Sequence, residues 1–421
     1  MTKSIKPSAI KGTIKAPASK SMMQRAVAAA LLTQGPTKIL NPTYSNDSNA
    51  ALSIVRGLGA SVDAGKNEIS INGGMNPTGE ILNCGESGLS IRMFSPIAAL
   101  WHTELTLTGE GSLLSRPVSM IEAPLKELGI EVTTTGGCPP LTVKGPLKGG
   151  EALVDGSVSS QLLTGLLMAL PAAPGDSRLR VKDLKSIPYI HMTLALLEAF
   201  GIEIQHADFE TFFIKGSQVY RTADSEYQVE GDWSGASFLL TAGALGGSVT
   251  VTGLDIDSPQ ADRRIMDALK AAGAGMNIAR DKVKVVKKDL NAFHFDATHC
   301  PDLFPPLVAL ACNCTGTTVI EGVTRLKHKE SNRAQVLEKE FSALGGDLRI
   351  QGNSMEVRGK KLTGGTMDSH NDHRIAMAGA IAAINALNDV TIRDHGCVAK
   401  SYPDFFADFQ SIGGMVYESF R

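Results

Sequence analysis

The sequence has little that would mark a secreted, membrane-bound or nucleic-acid-binding protein. Aromatic residues make up only 5% of the 421 residues, and the formal net charge is −2. So small a net charge argues against a polybasic surface for nucleic acid or membrane. The first twelve residues carry three lysines and no apolar segment, so we expect no secretory signal.

Long hydrophobic runs are also missing. The longest uncharged stretch, residues 233–254, is interrupted by glycines and serines and ends in an alternating run. This pattern favours a buried helix followed by a strand over a membrane span. We therefore expect a protein that does not cross a membrane.

The six cysteines form no CxxC pair. A chain of this length can build a core without disulfides, so we interpret them as reduced thiols in a cytoplasmic protein. His299 with Cys300, or Cys312 with Cys314, could ligate a metal, but neither spacing matches a common site. The motifs GxxxxGK[ST], GxGxxG and HExxH are absent as well. The sequence thus predicts neither a metal nor a cofactor.

Glycine is what the sequence has in excess: 43 of 421 residues, about 10% against a usual 7%. Six of these glycines each end an apolar helical run and precede an alternating strand: Gly59, Gly129, Gly201, Gly273, Gly345 and Gly413. Their successive spacings are 70, 72, 72, 72 and 68 residues. The regular spacing predicts six structural units of about 70 residues.

The second unit shows the pattern best. A short strand precedes a predicted helix over residues 117–128, whose apolar side chains recur at helical spacing, and Gly129 stops the helix. Two strands follow, over 130–133 and 141–143. Each unit is therefore predicted to be βαββ, which indicates an α/β architecture of repeated small sheets.

Four polar clusters break this pattern, and the first covers residues 17–25. Ser19 or Ser21 can cap a helix that continues to Leu32. Lys20, Ser21 and Arg25 then lie near a helix start, where backbone N–H groups and the helix dipole favour an anion. A solvated helix start is the alternative.

The second cluster, residues 156–161, opens a predicted helix over 162–170 with neutral donors that suit a phosphate or a polyol, or simply cap the helix. In the third cluster, Lys329 and Arg333 would share a helix face beside Glu330, as an anion site or as a surface salt bridge. Each reading stays open at this point.

The fourth cluster, residues 371–374, precedes an apolar helix predicted over 375–386 and is either a structural cap or an anion site. Lys400 is predicted just before a later helix, and Arg116 at a helix start before Pro117. If these cations converge, they form a positive cleft for a small, multiply anionic ligand.

The clusters also resemble a known family. Their motifs are Lys20-Ser21-x3-Arg25, Asp155 to Gln161, Ser186-x2-Tyr189, Lys329-Glu330-x2-Arg333, Asp372-His373-Arg374 and Ala399-Lys400. In type and order they resemble the 5-enolpyruvylshikimate-3-phosphate synthase family, from about residue 10 to 410.

This resemblance implies a two-domain inverse α/β barrel with three units in each domain. The first domain would hold residues 1–18 and 232–421, the second residues 19–231, with the active site in the interdomain cleft. It also implies a monomer that acts on small anionic substrates without nucleic acid, membrane or cofactor.

The implied reaction transfers the enolpyruvyl group of phosphoenolpyruvate to the 5-hydroxyl of shikimate 3-phosphate, through a tetrahedral intermediate and with release of phosphate. It belongs to the shikimate pathway to chorismate and the aromatic amino acids. The resemblance makes Asp302 the base for the 5-hydroxyl, Glu330 the proton shuttle at the methylene carbon, and Lys20 a third catalytic group. A turn is the alternative role for Asp302, which follows Pro301.

The resemblance also assigns two binding sets, with Lys20 and Gln161 in both. Shikimate 3-phosphate would be bound by Lys20, Ser21, Arg25, Ser159, Ser160, Gln161, Ser186, Tyr189, Asp302 and Lys329. Phosphoenolpyruvate would be bound by Lys20, Gly88, Arg116, Gln161, Arg333, Arg374 and Lys400.

One loop departs from the family pattern. The family usually has Asn-Ala-Gly-Thr where this chain has Glu86-Ser87-Gly88-Leu89, so Glu86 and sensitivity to glyphosate stay unassigned, as does Arg325. The related transferase acting on UDP-N-acetylglucosamine is the enzymatic alternative. It generally has a cysteine in the loop before its Arg-Pro, and residues 109–115 contain none. A non-catalytic repeat scaffold would explain the spacing but not the clustered charges.

Overall fold

A computed structural model of the chain describes residues 2–327 and 329–419; His328, within the third polar cluster, lies outside them. The chain forms two compact units. We call Ala18–Val229 the middle unit, and Met1–Pro17 together with Glu230–Arg421 the split unit.

Each unit contains six of the α-helices found among the described residues. Those of the middle unit are α1 (Lys20–Leu32), α2 (Asn46–Gly57), α3 (Gly88–Ala98), α4 (Glu122–Glu127), α5 (Gln161–Ala169) and α6 (Ile187–Ala199). Those of the split unit are α7 (Trp233–Gly246), α8 (Ile265–Ala271), α9 (Phe304–Ala311), α10 (Arg333–Ala343), α11 (His373–Ala382) and α12 (Phe405–Ser411). Short 3₁₀ helices span Gly111–Ser115, Ser119–Ile121, Leu170–Ala172, Ala223–Ser225, Ala261–Arg264, Pro301–Leu303, Val323–Leu326, Ala383–Asn385 and His395–Lys400.

Three four-stranded sheets lie in each unit, and all six have the same topology. The first strand is parallel to the second, and the third and fourth follow antiparallel. In the middle unit the sheets, in spatial order, are Glu226–Gln228, Pro36–Leu40, Glu68–Asn72 and Ser61–Ala64; Ile81–Asn83, Glu104–Thr108, Cys138–Lys144 and Glu131–Thr135; and Gly150–Asp155, Ser177–Lys182, Thr211–Ile214 and Ile204–Ala207. In the split unit they are Ile10–Lys15, Gly247–Thr252, Lys282–Val286 and Gly275–Ala279; His294–Asp296, Thr317–Glu321, Ser354–Arg358 and Asp347–Gln351; and Gly365–Asp368, Val390–Arg393, Thr2–Lys6 and Met415–Ser419.

The predicted sixfold repeat is confirmed, but each repeat contains one strand and one helix more than the predicted βαββ run. The βαββ run is preceded by a further strand and helix, as Ile81–Asn83 and α3 precede Glu104–Thr108. Three sheets are completed from distant parts of the chain: Glu226–Gln228 and Ile10–Lys15 each supply a first strand, and Thr2–Lys6 supplies a third. These exchanges hide the sixfold pattern at the ends of each unit.

The six repeat glycines end their helices in one way. All have φ between 72° and 108°, in the left-handed region that a glycine adopts without strain. At Gly129, its N–H donates to the carbonyl of Lys126 at 3.0 Å, and the N–H of Ile130 donates to that of Leu125 at 2.9 Å. This is the Schellman arrangement, which satisfies the last carbonyls of a helix.

The first helix of each repeat forms the core of its unit. Helices α3 and α5 pack together in the middle unit, and α9 packs on α7 and α11 in the split unit. Every residue of α3, α9 and α11 is buried, including Arg92 of α3 and Arg374 of α11. Three of the helices that come first in their repeats begin at predicted site residues: α1 at Lys20, α3 at Gly88 and α5 at Gln161.

The predicted helix over 117–128 is wrong in its first turn. The structure has a 3₁₀ turn at Ser119–Ile121 and then α4, so Pro117 does not open a helix. Arg116 instead follows the 3₁₀ helix Gly111–Ser115 in extended conformation, with φ −84° and ψ 133°. The helix does not begin at Pro117 because Val118, with φ −127° and ψ 4°, lies outside the helical region and its N–H donates to the carbonyl of Gly137 at 2.8 Å.

Candidate active site

In the middle unit, Lys20 begins α1. Ser19, rather than Ser21, caps this helix: its hydroxyl accepts from the N–H of Met22 at 3.4 Å. The ammonium of Lys20 lies 2.8 Å from a carboxylate oxygen of Asp47, in the first turn of α2. Lys20 is thus held at the helix start by a carboxylate that the sequence analysis did not single out.

Arg25, one turn further along α1, is buried and joins three helices. Its guanidinium donates to Thr193 Oγ1 at 3.0 Å, to the Ser21 carbonyl at 2.9 Å, to the Tyr189 carbonyl at 3.4 Å and to Thr164 Oγ1 at 3.5 Å. Burial lowers its pKa to about 10, against the raising effect of two nearby tyrosines. The structure therefore brings Arg25 and Tyr189 together.

The serine cluster and Ser186 form two further helix starts. Ser160 precedes α5, and the Ser159 hydroxyl accepts from the N–H of Gln161 at 3.2 Å. Ser186 precedes α6 in the left-handed region, with φ 58°. Since Thr164 of α5 and Thr193 of α6 both bond to Arg25, these starts belong to one assembly of helices around that guanidinium.

Gly88, Gln161 and Arg116 meet at a residue that the sequence analysis missed, Arg92. Its guanidinium donates to Gln161 Oε1 at 2.9 Å, to the Gly88 carbonyl at 3.2 Å and to the Pro117 carbonyl at 2.7 Å. A Cβ on Gly88 would lie 2.7 Å from Arg116 Nη2. Only a glycine lets both guanidinium groups approach the start of α3 so closely.

Arg116 is buried, yet its Nε and Nη1 have no hydrogen-bond partner among the described residues. A buried donor without a partner costs free energy. Those two nitrogens therefore have hydrogen-bonding capacity that the described part of the protein does not use.

In the split unit, the carboxylate of Asp302 contacts three cationic side chains. Its carboxylate is 2.8 Å from Arg333 Nη1, 3.1 Å from Lys329 Nζ and 3.3 Å from Arg374 Nη2. It belongs to the 3₁₀ helix Pro301–Leu303, just before α9. The structure thus brings Asp302, Lys329, Arg333 and Arg374 into one cluster.

Burial raises the pKa of Asp302, but Arg374, Lys329 and Arg333 outweigh it and hold the pKa well below the usual range. Burial lowers the pKa of Lys329, and Asp302 opposes that effect. The ionised carboxylate and its cations therefore stabilise one another.

Arg333 donates hydrogen bonds to three carboxylates, those of Asp302, Glu330 and Asp372. Nε and Nη2 reach the two oxygens of Asp372 at 2.9 and 3.2 Å, and Nη2 also reaches Glu330 Oε2 at 2.6 Å. Its side chain is 0% exposed. The prediction that Lys329 and Arg333 share a helix is wrong, since α10 begins at Arg333. They are neighbours because both contact Asp302.

The last two predicted cations lie close to α11. Asp372 caps this helix by accepting from the N–H of Arg374 at 3.0 Å. Lys400 donates to the carbonyl of Asn371 at 2.7 Å. It ends the 3₁₀ helix His395–Lys400, and α12 starts only at Phe405, so it does not directly precede that helix as predicted. Pro403 lies between the two helices and cannot donate a backbone hydrogen bond.

Comparisons with known proteins show which family has this sequence and fold. The family model described as EPSP synthase (3-phosphoshikimate 1-carboxyvinyltransferase) matches residues 5–409. Proteins named 3-phosphoshikimate 1-carboxyvinyltransferase from Clostridium novyi and Methanocorpusculum labreanum are 38% and 37% identical to the chain. The matches cover 98% of this chain in both cases, and 97% and 98% of the relatives.

The chain belongs to the EPSP synthase family. A solved EPSP synthase from Acinetobacter baumannii superimposes with a TM-score of 0.82 at 27% identity, over 99% of this chain and 100% of that one. The enolpyruvyl transferase NikO from Streptomyces tendae has a TM-score of 0.80 at 18% identity, over 99% and 98%, and so shares the fold. These likenesses confirm the predicted enolpyruvyl transferase fold.

Two charged residues of this EPSP synthase family member were not predicted to bind or react: Arg92 and Asp47. Arg92 is the single charge in the otherwise apolar α3, one turn after Gly88. A single arginine in a helix that is otherwise uncharged indicates a buried cation with hydrogen-bond partners, and this pattern could have identified Arg92 from the sequence. Asp47 gave no such signal, because an acidic residue in a first helical turn is common.

The family member shows no arrangement for a metal in the part of the chain that the structure describes: no three His, Cys, Asp or Glu side chains are grouped to hold one. All six cysteines are free, and burial raises the pKa of the Cys300 thiol. Within residues 2–327 and 329–419, no helix is long and apolar enough to span a membrane.

Proposed function

We propose that this chain transfers the enolpyruvyl group of phosphoenolpyruvate to the 5-hydroxyl of shikimate 3-phosphate and releases phosphate, as an enzyme of the shikimate pathway. The observation that carries the proposal is the cluster at Asp302, where one carboxylate lies among Lys329, Arg333 and Arg374. Both substrates are anions, and a site of cations and donors stabilises the charge that develops as they react.

Asp302 is proposed as the base for the 5-hydroxyl. In the cluster its pKa is too low for an efficient base, because a base works best with a pKa near the operating pH. Substrate anions that bind Arg374 and Lys329 would offset these charges and raise the pKa of Asp302. Substrate binding would therefore switch the base on.

Glu330 and Lys20 are proposed as the other catalytic groups. As the 5-oxygen attacks C2 of phosphoenolpyruvate, an acid protonates C3 and gives the tetrahedral intermediate. Loss of phosphate from C2 and of a proton from C3 then restores the double bond. Glu330, held by Arg333 at 2.6 Å, is proposed to exchange that proton.

The residues of the proposed binding sets differ in whether their side chains already bond to other groups of the protein. Arg116 supports a role in binding phosphoenolpyruvate, since two of its buried nitrogens have no partner among the described residues. Arg25 and Arg333 both donate to groups of the protein itself, so we propose that they also order the groups around them. The remaining residues of both sets keep the roles that the family resemblance implies.

Phosphate release from phosphoenolpyruvate tests the function. We expect release with shikimate 3-phosphate as acceptor and none with shikimate itself, which lacks the phosphate that the cations bind. Release with UDP-N-acetylglucosamine, and none with shikimate 3-phosphate, would overturn the proposal in favour of the related transferase.

We also propose that the enzyme is a cytoplasmic monomer. The six free cysteines support a reducing compartment. Sedimentation velocity should give one species near 44.5 kDa. A species of twice that mass would contradict the monomer.

A further inference from the structure

Glu86, which stands where the family usually has asparagine, lies in the turn between the strand Ile81–Asn83 and α3. Its Oε2 accepts two hydrogen bonds from Ser112: one from the backbone N–H at 3.0 Å and one from the hydroxyl at 2.8 Å. Ser112 belongs to the 3₁₀ helix Gly111–Ser115, which leads directly into Arg116. The carboxylate is thus bonded to the loop that carries Arg116.

This carboxylate supplies the cap that the 3₁₀ helix lacks. The residue in the capping position, Glu110, makes no side-chain bond to the helix. First-turn N–H groups favour an acidic acceptor, and Glu86 provides one from another segment. The contact is close, since a Cβ on Gly111 would lie 2.6 Å from Glu86 Cδ.

Arg116 is held against the same turn from two sides. Before it, Glu86 bonds to Ser112; after it, Arg92 donates to the Pro117 carbonyl at 2.7 Å. Between these two contacts the Arg116 guanidinium lies over Gly88, with two buried nitrogens that have no partner among the described residues. The turn 86–88 therefore fixes both the loop and the place of its guanidinium.

We propose that Glu86 is a positioning residue: its carboxylate bonds to Ser112 and thereby places the Arg116 guanidinium to bind phosphoenolpyruvate. This inference rests on the proposed function. It also opposes simple electrostatics, because an acidic group near an anionic substrate should weaken binding. A Glu86 bonded to Ser112 instead assists binding through Arg116.

The variant Glu86→Ala distinguishes a Glu86 that positions Arg116 from a Glu86 that only repels the anionic substrate. We expect the KM for phosphoenolpyruvate to rise about tenfold, with kcat and the affinity for shikimate 3-phosphate nearly unchanged, as for a lost ground-state contact. Glu86→Gln keeps an oxygen that can accept both bonds, so it should restore most of the affinity. Ser112→Ala removes one of the two bonds and should fall between Glu86→Ala and the parent.

Glu110→Gln is the matched control. It removes one negative charge from the same loop and keeps an oxygen for the bond from Asn83 Nδ2 at 2.7 Å. We expect its KM for phosphoenolpyruvate to stay the same or fall. An unchanged or lowered KM in Glu86→Ala, or a rise of the same size in Glu110→Gln, would overturn the proposal.

Hydrogen exchange separates this inference from the proposed function. In Glu86→Ala, amide exchange over residues 111–116 should accelerate, while exchange in the split unit should stay unchanged. If the parent enzyme released no phosphate yet the variant showed this acceleration, the proposed function would fail and the contact would stand. Unchanged exchange over residues 111–116 would overturn the contact itself.

Discussion

Arg333→Met would test whether one guanidinium organises the acidic groups of the split unit. Arg333 is 0% exposed and bonds to Asp302, Glu330 and Asp372. Methionine keeps an unbranched apolar stem but has no guanidinium and no charge, so it leaves three carboxylates close together without their common cation. Removal of one partner from a buried ion pair costs about 3–5 kcal/mol, and we expect a loss of that size in the free energy of unfolding near neutral pH.

The loss should depend on pH. In the parent, the pKa of Asp302 is held below its unfolded value, so its contribution is present above about pH 4 and is lost only below that. In the variant, we expect the crowded carboxyl groups to take up a proton on folding, because burial without a counter-charge favours the neutral acid. Each such proton reduces the loss by about 1.4 kcal/mol per unit fall in pH.

The two tryptophans make the measurement specific, because Trp101 lies in the middle unit and Trp233 in the split unit. In a Trp101→Phe background, fluorescence during urea unfolding reports on the buried Trp233 alone. Parent and variant would be compared at about pH 7.5 and about pH 5.5. We expect the difference in unfolding free energy to be smaller at the lower pH.

Arg349→Met is the control. Arg349 is also in the split unit, but its side chain is 74% exposed and lies 3.8 Å from Asp347. Loss of an exposed pair should change the unfolding free energy by less than about 1 kcal/mol at either pH. A loss below about 1 kcal/mol in Arg333→Met, or an equal loss at both pH values, would refute the reasoning.

Two further variants test the chemistry. Glu330→Ala should lower kcat by about 10²–10⁴-fold, the usual contribution of a general acid or base, while calorimetry shows shikimate 3-phosphate still binding; near-normal turnover would reject its role. Gly88→Ala should raise the KM for phosphoenolpyruvate about tenfold, because the new Cβ would lie 2.7 Å from Arg116 Nη2 and 2.8 Å from Arg92 Nη1. The control Gly79→Ala meets no atom within 4 Å, so equal effects in the two variants would contradict this explanation.

Much of the fold was predictable because its signals are local. A glycine in the left-handed region stops a helix whatever surrounds it, so the spacing of Gly59, Gly129 and the four later glycines exposed six units. The uncharged stretch 233–254 became α7 and the strand Gly247–Thr252, as predicted. Three of the added strands, such as Ile81–Asn83, have only three residues and carry almost no periodicity that a sequence could reveal.

The site was only partly predictable. Helix starts are readable from a serine or aspartate before an apolar run, which located Lys20, Gln161 and Arg374. Arg116 was misplaced because local rules favoured Pro117 as a helix start, whereas the chain stays extended there. Glu86 remained unassigned because its partner, Ser112, lies 26 residues away.

By itself, the sequence determined the class of fold, the number of units and the kinds of side chain at the helix starts. These follow from backbone preferences and apolar periodicity, which act over a few residues. Only the tertiary structure decided which groups contact each other: Arg333 and three carboxylates, Lys329 and Asp302, and Arg92 and its two neighbours Gly88 and Gln161. Such pairs join distant residues, so they exist only once packing has brought the helix starts together and removed water from between them.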